Sequence, residues 1–203
     1  MTQMTTGLET PRRSTMTRLE KRFVNSDRKG RAVARRLSAL LVQVSPPPDS
    51  RYLDVGAGNG AATTQVAAEW RLDATGVDLG PEQIALARAR GDGDGPVSFV
   101  EADARRLPFA DGEFDLVSSS KATHHIPEWE DALAEMCRVL RPGGHLVYAD
   151  LAVPRALAWA AGWFGKHRLP TRAALDATFE RQGLTAVERR TAPLHYEAVL
   201  RKA

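Results

Sequence analysis

The residues with the clearest chemical signal are Tyr52-Leu53-Asp54-Val55-Gly56-Ala57-Gly58-Asn59-Gly60. Glycines at 56, 58 and 60 let the backbone approach a ligand closely, and a helix starting just beyond them offers unpaired amide hydrogens to an anionic group. The G-x-G-x-G spacing, with Asp54 two positions ahead, differs from the G-x-G-x-x-G turn that cradles a dinucleotide pyrophosphate, and so points away from NAD. An acid at that strand end suits a ligand with a cationic group nearby, such as an amino-acid ammonium. Asp78, in Gly76-Val77-Asp78-Leu79, falls twenty-two residues beyond Gly56, where a carboxylate can accept both hydroxyls of a ribose. That distance fits NAD as well as other adenosine ligands. Asp103, in Val100-Glu101-Ala102-Asp103-Ala104, closes a third apolar run and could accept from an adenine amine. Singly, Asp78 and Asp103 read equally as helix N-caps. Jointly, the three acids describe three parts of one ligand.

Histidines 124 and 125 end the run Ser118-Ser119-Ser120-Lys121-Ala122-Thr123-His124-His125-Ile126 and are candidates for proton transfer. Glu128 stands close by, but adjacent histidine side chains rarely converge on one ion, and no metal is expected. The single cysteine, Cys137, excludes an internal disulfide and any Cys-based zinc site. It shares an apolar helical face with Leu133, Met136 and Leu140, which favours a core role over a nucleophilic one.

These residues need elements to hold them in place. Short apolar runs alternate with helical stretches: Arg51–Val55 then Ala61–Trp70, Ala74–Asp78 then Glu82–Arg90, Val97–Glu101, Phe114–Ser118 then Glu128–Leu140, and His145–Asp150. This alternation predicts a doubly wound α/β fold, a mostly parallel sheet with helices on both faces. A helix over Arg172–Gln182 and strands over Leu184–Arg189 and Tyr196–Arg201 follow, the two strands close enough to pair antiparallel. Ahead of the sheet, apolar positions from Glu20 to Val44 recur at helical intervals, and Pro46-Pro47-Pro48 ends that helix. The chain divides into a basic helical arm or lid over residues 1–45 and one domain over 46–203, with residues 151–170 as an insertion on the acceptor side.

Composition limits the classes of function. The 203 residues are 43% hydrophobic and 26% charged, as a packed globular domain requires. The longest apolar run, Ala156–Phe164, has nine residues, and a membrane span needs about 20. The amino terminus has no apolar segment after its charges, so a cytoplasmic location is expected. Residues 1–45 carry ten Lys or Arg against three acids, a charge of +7, and the remainder is −4. Such an arm suits nucleic acid or an acidic surface, but a solvated helix face explains it as well, and a nucleic-acid partner is not favoured.

The series YLDVGAGNG, GVDLG, EADARRLPFADGEFDLV, HHI and RVLRPGGHLVYAD resembles the class I S-adenosylmethionine-dependent methyltransferases, and within them the small-molecule enzymes similar to ubiquinone and menaquinone C-methyltransferases. The resemblance spans Arg51–Asp150. It implies a seven-stranded sheet with a reversed last hairpin, and S-adenosylmethionine bound by Asp54, Gly56, Ala57, Gly58, Gly60, Asp78, Leu79, Asp103 and Ala104. Within that set it places Asp54 and Gly56 near the methionine, Asp78 on the ribose, Leu79 against the adenine, and Asp103 with the Ala104 amide on the adenine edge. It also implies that the His124 loop borders a small-molecule acceptor, with His124 as the general base if the acceptor must lose a proton, in a monomer or homodimer. Methylation of RNA or protein, and cofactor binding without catalysis, are the alternative readings. Trp159 and Trp163, four residues apart in the insertion, lean toward an apolar or aromatic acceptor.

Overall fold

Tyr52, Leu53 and Val55 are buried on both faces of the strand that carries them, as a central parallel strand demands. That strand, β1 (Arg51–Val55), belongs to a seven-stranded sheet in a computed structural model that describes residues 27–91, 96–154 and 169–203. The other strands are β2 (Asp73–Asp78), β3 (Val97–Glu101), β4 (Phe114–Ser120), β5 (Leu140–Leu151), β6 (Leu184–Ala192) and β7 (His195–Lys202). Their order is β3-β2-β1-β4-β5-β7-β6, with β7 antiparallel to both β5 and β6 and every other pairing parallel. The winding reverses between β1 and β4, and a crevice opens beyond the carboxyl ends of strands at such a point.

Helices cover both faces. On one side α1 (Asp27–Leu41), α2 (Ala61–Trp70) and α3 (Pro81–Gly91) place Leu37, Leu40, Val66, Ile84 and Ala87 against Tyr52, Leu116, Val147, Val199 and Phe99. On the other, α4 (Trp129–Val139) and α5 (Arg172–Arg181) bring Leu133, Met136, Leu175 and Phe179 onto Leu53, Val117, Leu146 and Tyr148. Cys137 is buried among them, and burial pushes its thiol up to about 12, which makes it inert as a nucleophile.

The end of helix α1 and the start of strand β5 differ from the expectation, and β4 and β6 run past it to Ser120 and Ala192. Helix α1 ends at Leu41, ahead of the three prolines, because Ser45 takes a left-handed φ of 45° and a turn over Val42–Val44 fills the gap. Strand β5 starts at Leu140 rather than His145: Leu140 pairs with Phe114, then the register jumps so that Leu116 faces His145. The Arg141–Gly144 turn is therefore a bulge inside the strand, with Gly143 at φ 75°. The apolar stripe of α1, including Ala34 and Leu41, is part of the core, and its Arg36 pairs with Glu197 of β7. Residues 1–26 of the expected arm and 155–168 of the expected insertion, with Trp159 and Trp163, lie outside the described residues.

Candidate active site

The Gly-rich turn runs from the end of β1 into α2 with φ of 83°, 55° and 75° at Gly56, Gly58 and Gly60. The amides of Gly56 and Ala57 both donate to the Val77 carbonyl, at 2.8 and 2.9 Å, which folds the turn against β2. A Cβ on Gly56 would collide with the Cβ of Ala122, so the absence of a side chain lets the turn touch the loop that carries His124. Gly60 caps α2 with its face against Phe99. The helix α1 also reaches this turn: a Cβ on Gly30 would lie 2.5 Å from the Cβ of Ala61, the first residue of α2.

Asp54 is only 4% exposed and lies beneath the turn. Its oxygens accept from Thr63 Oγ1 at 2.6 Å and Ser118 Oγ at 2.8 Å, and Ser118 in turn bonds Tyr52 Oη at 2.7 Å. Burial raises its carboxyl above the usual range; the two hydroxyl bonds oppose that rise, and the charge of Asp78 adds to it. Both oxygens being engaged, Asp54 ties the first turn of α2 to β4.

Asp78 stands at the end of β2. Its two oxygens accept the amides of Gly58 at 3.0 Å and Gly80 at 2.8 Å, so one carboxylate joins the Gly-rich turn to the loop after β2. Burial raises its carboxyl despite these amide bonds. Leu79 beside it is 47% exposed, an apolar surface left open to the crevice. Across from it, the Ala102 amide donates to the Asp78 carbonyl at 3.1 Å and brings the Asp103–Ala104 turn alongside, with Ala104 partly buried against the core. Arg105 grips both oxygens of Asp103, the shortest contact being 2.7 Å, and its other amino group reaches Glu128 at 2.7 Å. Arg105 thereby holds the Asp103 carboxyl below the usual range, the opposite direction to Asp54 and Asp78. Glu128 is thus directed to Arg105 rather than to the histidines.

On the far side of the crevice, Thr123–His125 form one 3₁₀ turn after β4. His124 Nδ1 lies 2.6 Å from Oδ1 of Asp150, and their side chains are 16% and 0% exposed. The Asp150 carboxylate also accepts the Thr123 amide at 2.8 Å, Thr123 Oγ1 at 2.6 Å and the Leu151 amide at 2.6 Å. Tyr148 Oη bonds Thr123 Oγ1 at 2.6 Å and completes the network. Burial works against the charge on Asp150, but the bonds from His124, Thr123 and Leu151 outweigh it and hold the carboxyl below the usual range. The His125 ring packs on His124 with centroids 3.9 Å apart. Lys121 is exposed with a left-handed φ of 55°, its amide donating to the Ala149 carbonyl. Asp150 was not singled out from the sequence, although an acid closing the apolar run Leu146–Ala149 is the signal that could have found it.

The fold thus brings the Gly-rich turn, Asp78, Leu79 and the Asp103 turn to one side of a crevice and His124 to the other, joined where Gly56 meets Ala122. An apolar wall at Leu79 and acceptor groups at Asp78 fit an adenosine ligand. Residues 53–148 match the family description "Methyltransferase domain". The O-methyltransferase rstn1 of Aspergillus nomiae is 32% identical over 174 residues, which cover 81% of this chain and 74% of that protein. The O-methyltransferase cnsE of Penicillium expansum is 39% identical over 113 residues, covering 54% of this chain, and the match spans only 41% of that relative's length. A S-adenosylmethionine-dependent methyltransferase of Methanosarcina mazei superposes with a TM-score of 0.69 at 18% identity over 80% of this chain and 96% of that one, a likeness of fold. With one relative matched over most of both chains and the sheet order, strand-end acids and turn all in place, the chain belongs to the class I S-adenosylmethionine-dependent methyltransferases.

Proposed function

We propose that the protein methylates a hydroxyl group of a small organic acceptor, with His124 as general base. The observation that carries this reading is the 2.6 Å contact between His124 Nδ1 and the wholly buried Asp150 carboxylate. A carboxylate can only accept, so the Nδ1 hydrogen points at Asp150 and the lone pair falls on Nε2. The fifth donor to that carboxylate is the His124 amide itself, at 3.3 Å, which fixes the backbone as well as the ring. S-adenosylmethionine, when bound, supplies a methyl group already activated by its sulfonium. Nε2 of His124 would take up the proton that the acceptor hydroxyl loses on methylation. Asp150 then faces an imidazolium and stabilises it. A positioned base of this kind contributes about 10²- to 10⁴-fold, and holding the two reactants in line contributes more.

On the cofactor side, Asp78 takes the ribose, Leu79 lies along the adenine, and Asp103 with the Ala104 amide meets its edge, while the Gly56–Gly60 turn gives backbone approach to the methionine end. Asp103 has to share its carboxylate with Arg105. Several relatives are named for oxygen acceptors, among them the 27-O-demethylrifamycin SV methyltransferase of Amycolatopsis mediterranei, which supports an oxygen over a carbon acceptor. RNA or protein as acceptor is not favoured, since the basic arm that suggested it has Arg36 committed to Glu197. A cytoplasmic location belongs to the same reading; among the described residues no helix is long and apolar enough to cross a membrane.

The test is release of S-adenosylhomocysteine from S-adenosylmethionine over a panel of phenols, alcohols, amines and carboxylic acids. Turnover confined to hydroxyl compounds and lost in His124→Ala, with cofactor binding intact, is the expected result. Equal turnover by His124→Ala on every acceptor sinks the base assignment, and no turnover on any acceptor sinks the catalytic reading.

A further inference from the structure

The start of β5 gathers positive charge at the end of the sheet away from the crevice. His145 of β5 and Arg201 of β7 are register partners, so their side chains leave the same face of the sheet side by side. Arg141 joins them from the bulge. Gly143, in that bulge with φ 75°, carries no side chain, and the position a Cβ would take there lies 3.5 Å from Arg141 Nη1 and 3.6 Å from Arg201 Nη2. Two guanidinium groups, one from β5 and one from β7, thus close on a single point of open space.

The charges around that point are not balanced. Arg141 gives Nε to Asp115 and Nη1 to the Pro142 carbonyl, which leaves its other N–H groups to spare. The nearby Arg51 spends its guanidinium on Glu113. Among the described residues the Arg201 guanidinium has no carboxylate partner. Burial, and then the charges of Arg201 and Arg141, hold the His145 imidazole below its usual value. Like charges gathered this closely repel one another until an anion enters between them. Guanidinium forks match phosphate oxygens, and two of them oppose the two charges of a phosphate. A groove of about 380 Å³ leads from Gly143 and His145 along Leu116, Val44 and the three prolines, with Asp49 and Asp115 as its two acids.

We infer that the β5 bulge is a binding site for a phosphate-type oxyanion, held between Arg141 and Arg201 above Gly143 with His145 beside it. His145 stands five residues along β5 from Asp150, about 16 Å at the rise of a strand. The site is therefore separate from the crevice, and it does not rest on the methyl-transfer reading.

The experiment follows the His145 ring by NMR while inorganic phosphate, or phenyl phosphate, replaces chloride at constant ionic strength, the resonance being assigned by its absence in His145→Gln. A saturable shift is expected. The titration midpoint of His145 should also move up with phosphate bound, because the anion offsets the two arginine charges. Arg201→Met, at an exposed position, should keep its circular dichroism and bind phosphate at least about tenfold more weakly, the effect of one charge-assisted hydrogen bond. Arg35→Met, an equal loss of charge on the exposed side of α1, should bind as the wild type does. Tighter binding of phenyl phosphate identifies an ester whose body lies along the groove, and equal affinity identifies the free ion; either supports the site. A shift that grows linearly with concentration, or equal effects of Arg201→Met and Arg35→Met, overturns it in favour of diffuse screening.

Discussion

Asp150 reaches His124 across the end of the sheet, from the last residues of β5 to the turn after β4, and the 2.6 Å bond between them is made by a carboxylate with no solvent exposure. A charge so placed can be satisfied only by the groups around it, and Thr123, His124 and Leu151 supply them all. The pair is rigid before any acceptor arrives.

Asp150→Asn keeps the shape of the side chain but removes the charge that orients the ring. With an acceptor in hand, kcat is expected to fall about 10- to 100-fold, and His124→Ala about 10²- to 10⁴-fold. The affinity for S-adenosylhomocysteine should stay within about twofold in both, since neither residue belongs to the cofactor side of the crevice. Steady-state kinetics beside calorimetry separates these effects.

Asp78 gives cofactor binding its own pH dependence. Burial raises its carboxyl above the usual value, so it takes up a proton sooner than an ordinary aspartate as pH falls. A protonated Asp78 loses acceptor capacity, and the affinity for S-adenosylhomocysteine should decline on acidification in a range above the ordinary carboxylate value of about 3.9. Asp78→Asn should bind at least about tenfold more weakly, a loss of about 1.4 kcal/mol, and should flatten the decline. Calorimetry over a pH series tests both; a wild-type curve with no acid limb contradicts the assignment.

Asp54 and Asp150 pull the stability curve in opposite directions. The folded state holds the Asp54 proton more tightly than the unfolded chain does, so its ionisation weakens the fold as pH rises from the ordinary carboxylate value through the raised one. Asp150 is lowered, so its contribution is full above the ordinary value and is lost as pH falls through the depressed one. In urea unfolding, the stability gap between wild type and Asp54→Asn should therefore widen on acidification, and the gap for Asp150→Asn should narrow. Gaps that move in the same direction refute this account.

Gly30→Ala sets helix propensity against packing. Alanine in place of glycine favours a helix interior by about 1 kcal/mol, but the new methyl would sit 2.5 Å from the Cβ of Ala61. Overpacking costs about 1–3 kcal/mol, so the variant is expected to be less stable despite its better propensity. The double variant Gly30→Ala, Ala61→Gly should recover most of the loss in urea unfolding. Failure of the second change to rescue the first places the strain elsewhere.

The strand ends were the legible part of the site. Asp54, Asp78 and Asp103 each lie near or just beyond the end of a short apolar run, and a parallel sheet delivers such positions to one edge whatever the loops do. What those carboxylates touch was less legible. Thr63 and Ser118 claim Asp54 from nine and sixty-four residues away, and Arg105 claims Asp103 by folding back on its own turn. Asp150 closes an apolar run as the other acids do, but its pairing with His124 depends on a register between β4 and β5 that no local pattern reveals. The end of α1 was misplaced because Ser45, the residue before the prolines, and the turn over Val42–Val44 leave the helix earlier than the prolines alone require.

The bulge in β5 bears on how tolerant the catalytic edge is to change. Two steps along β4, from Phe114 to Leu116, correspond to five along β5, from Leu140 to His145, after which the strands run in step to Ser120 and Ala149. All the slack in chain length is taken up at the edge of the sheet farthest from the crevice. A slip of one residue beyond that point would turn Asp150 to the opposite face and away from His124. Insertions or deletions within Arg141–Gly144 can be absorbed where they occur, whereas one placed between His145 and Asp150 would disconnect His124 from Asp150. The strand behaves as a ruler with an adjustable origin and a fixed scale.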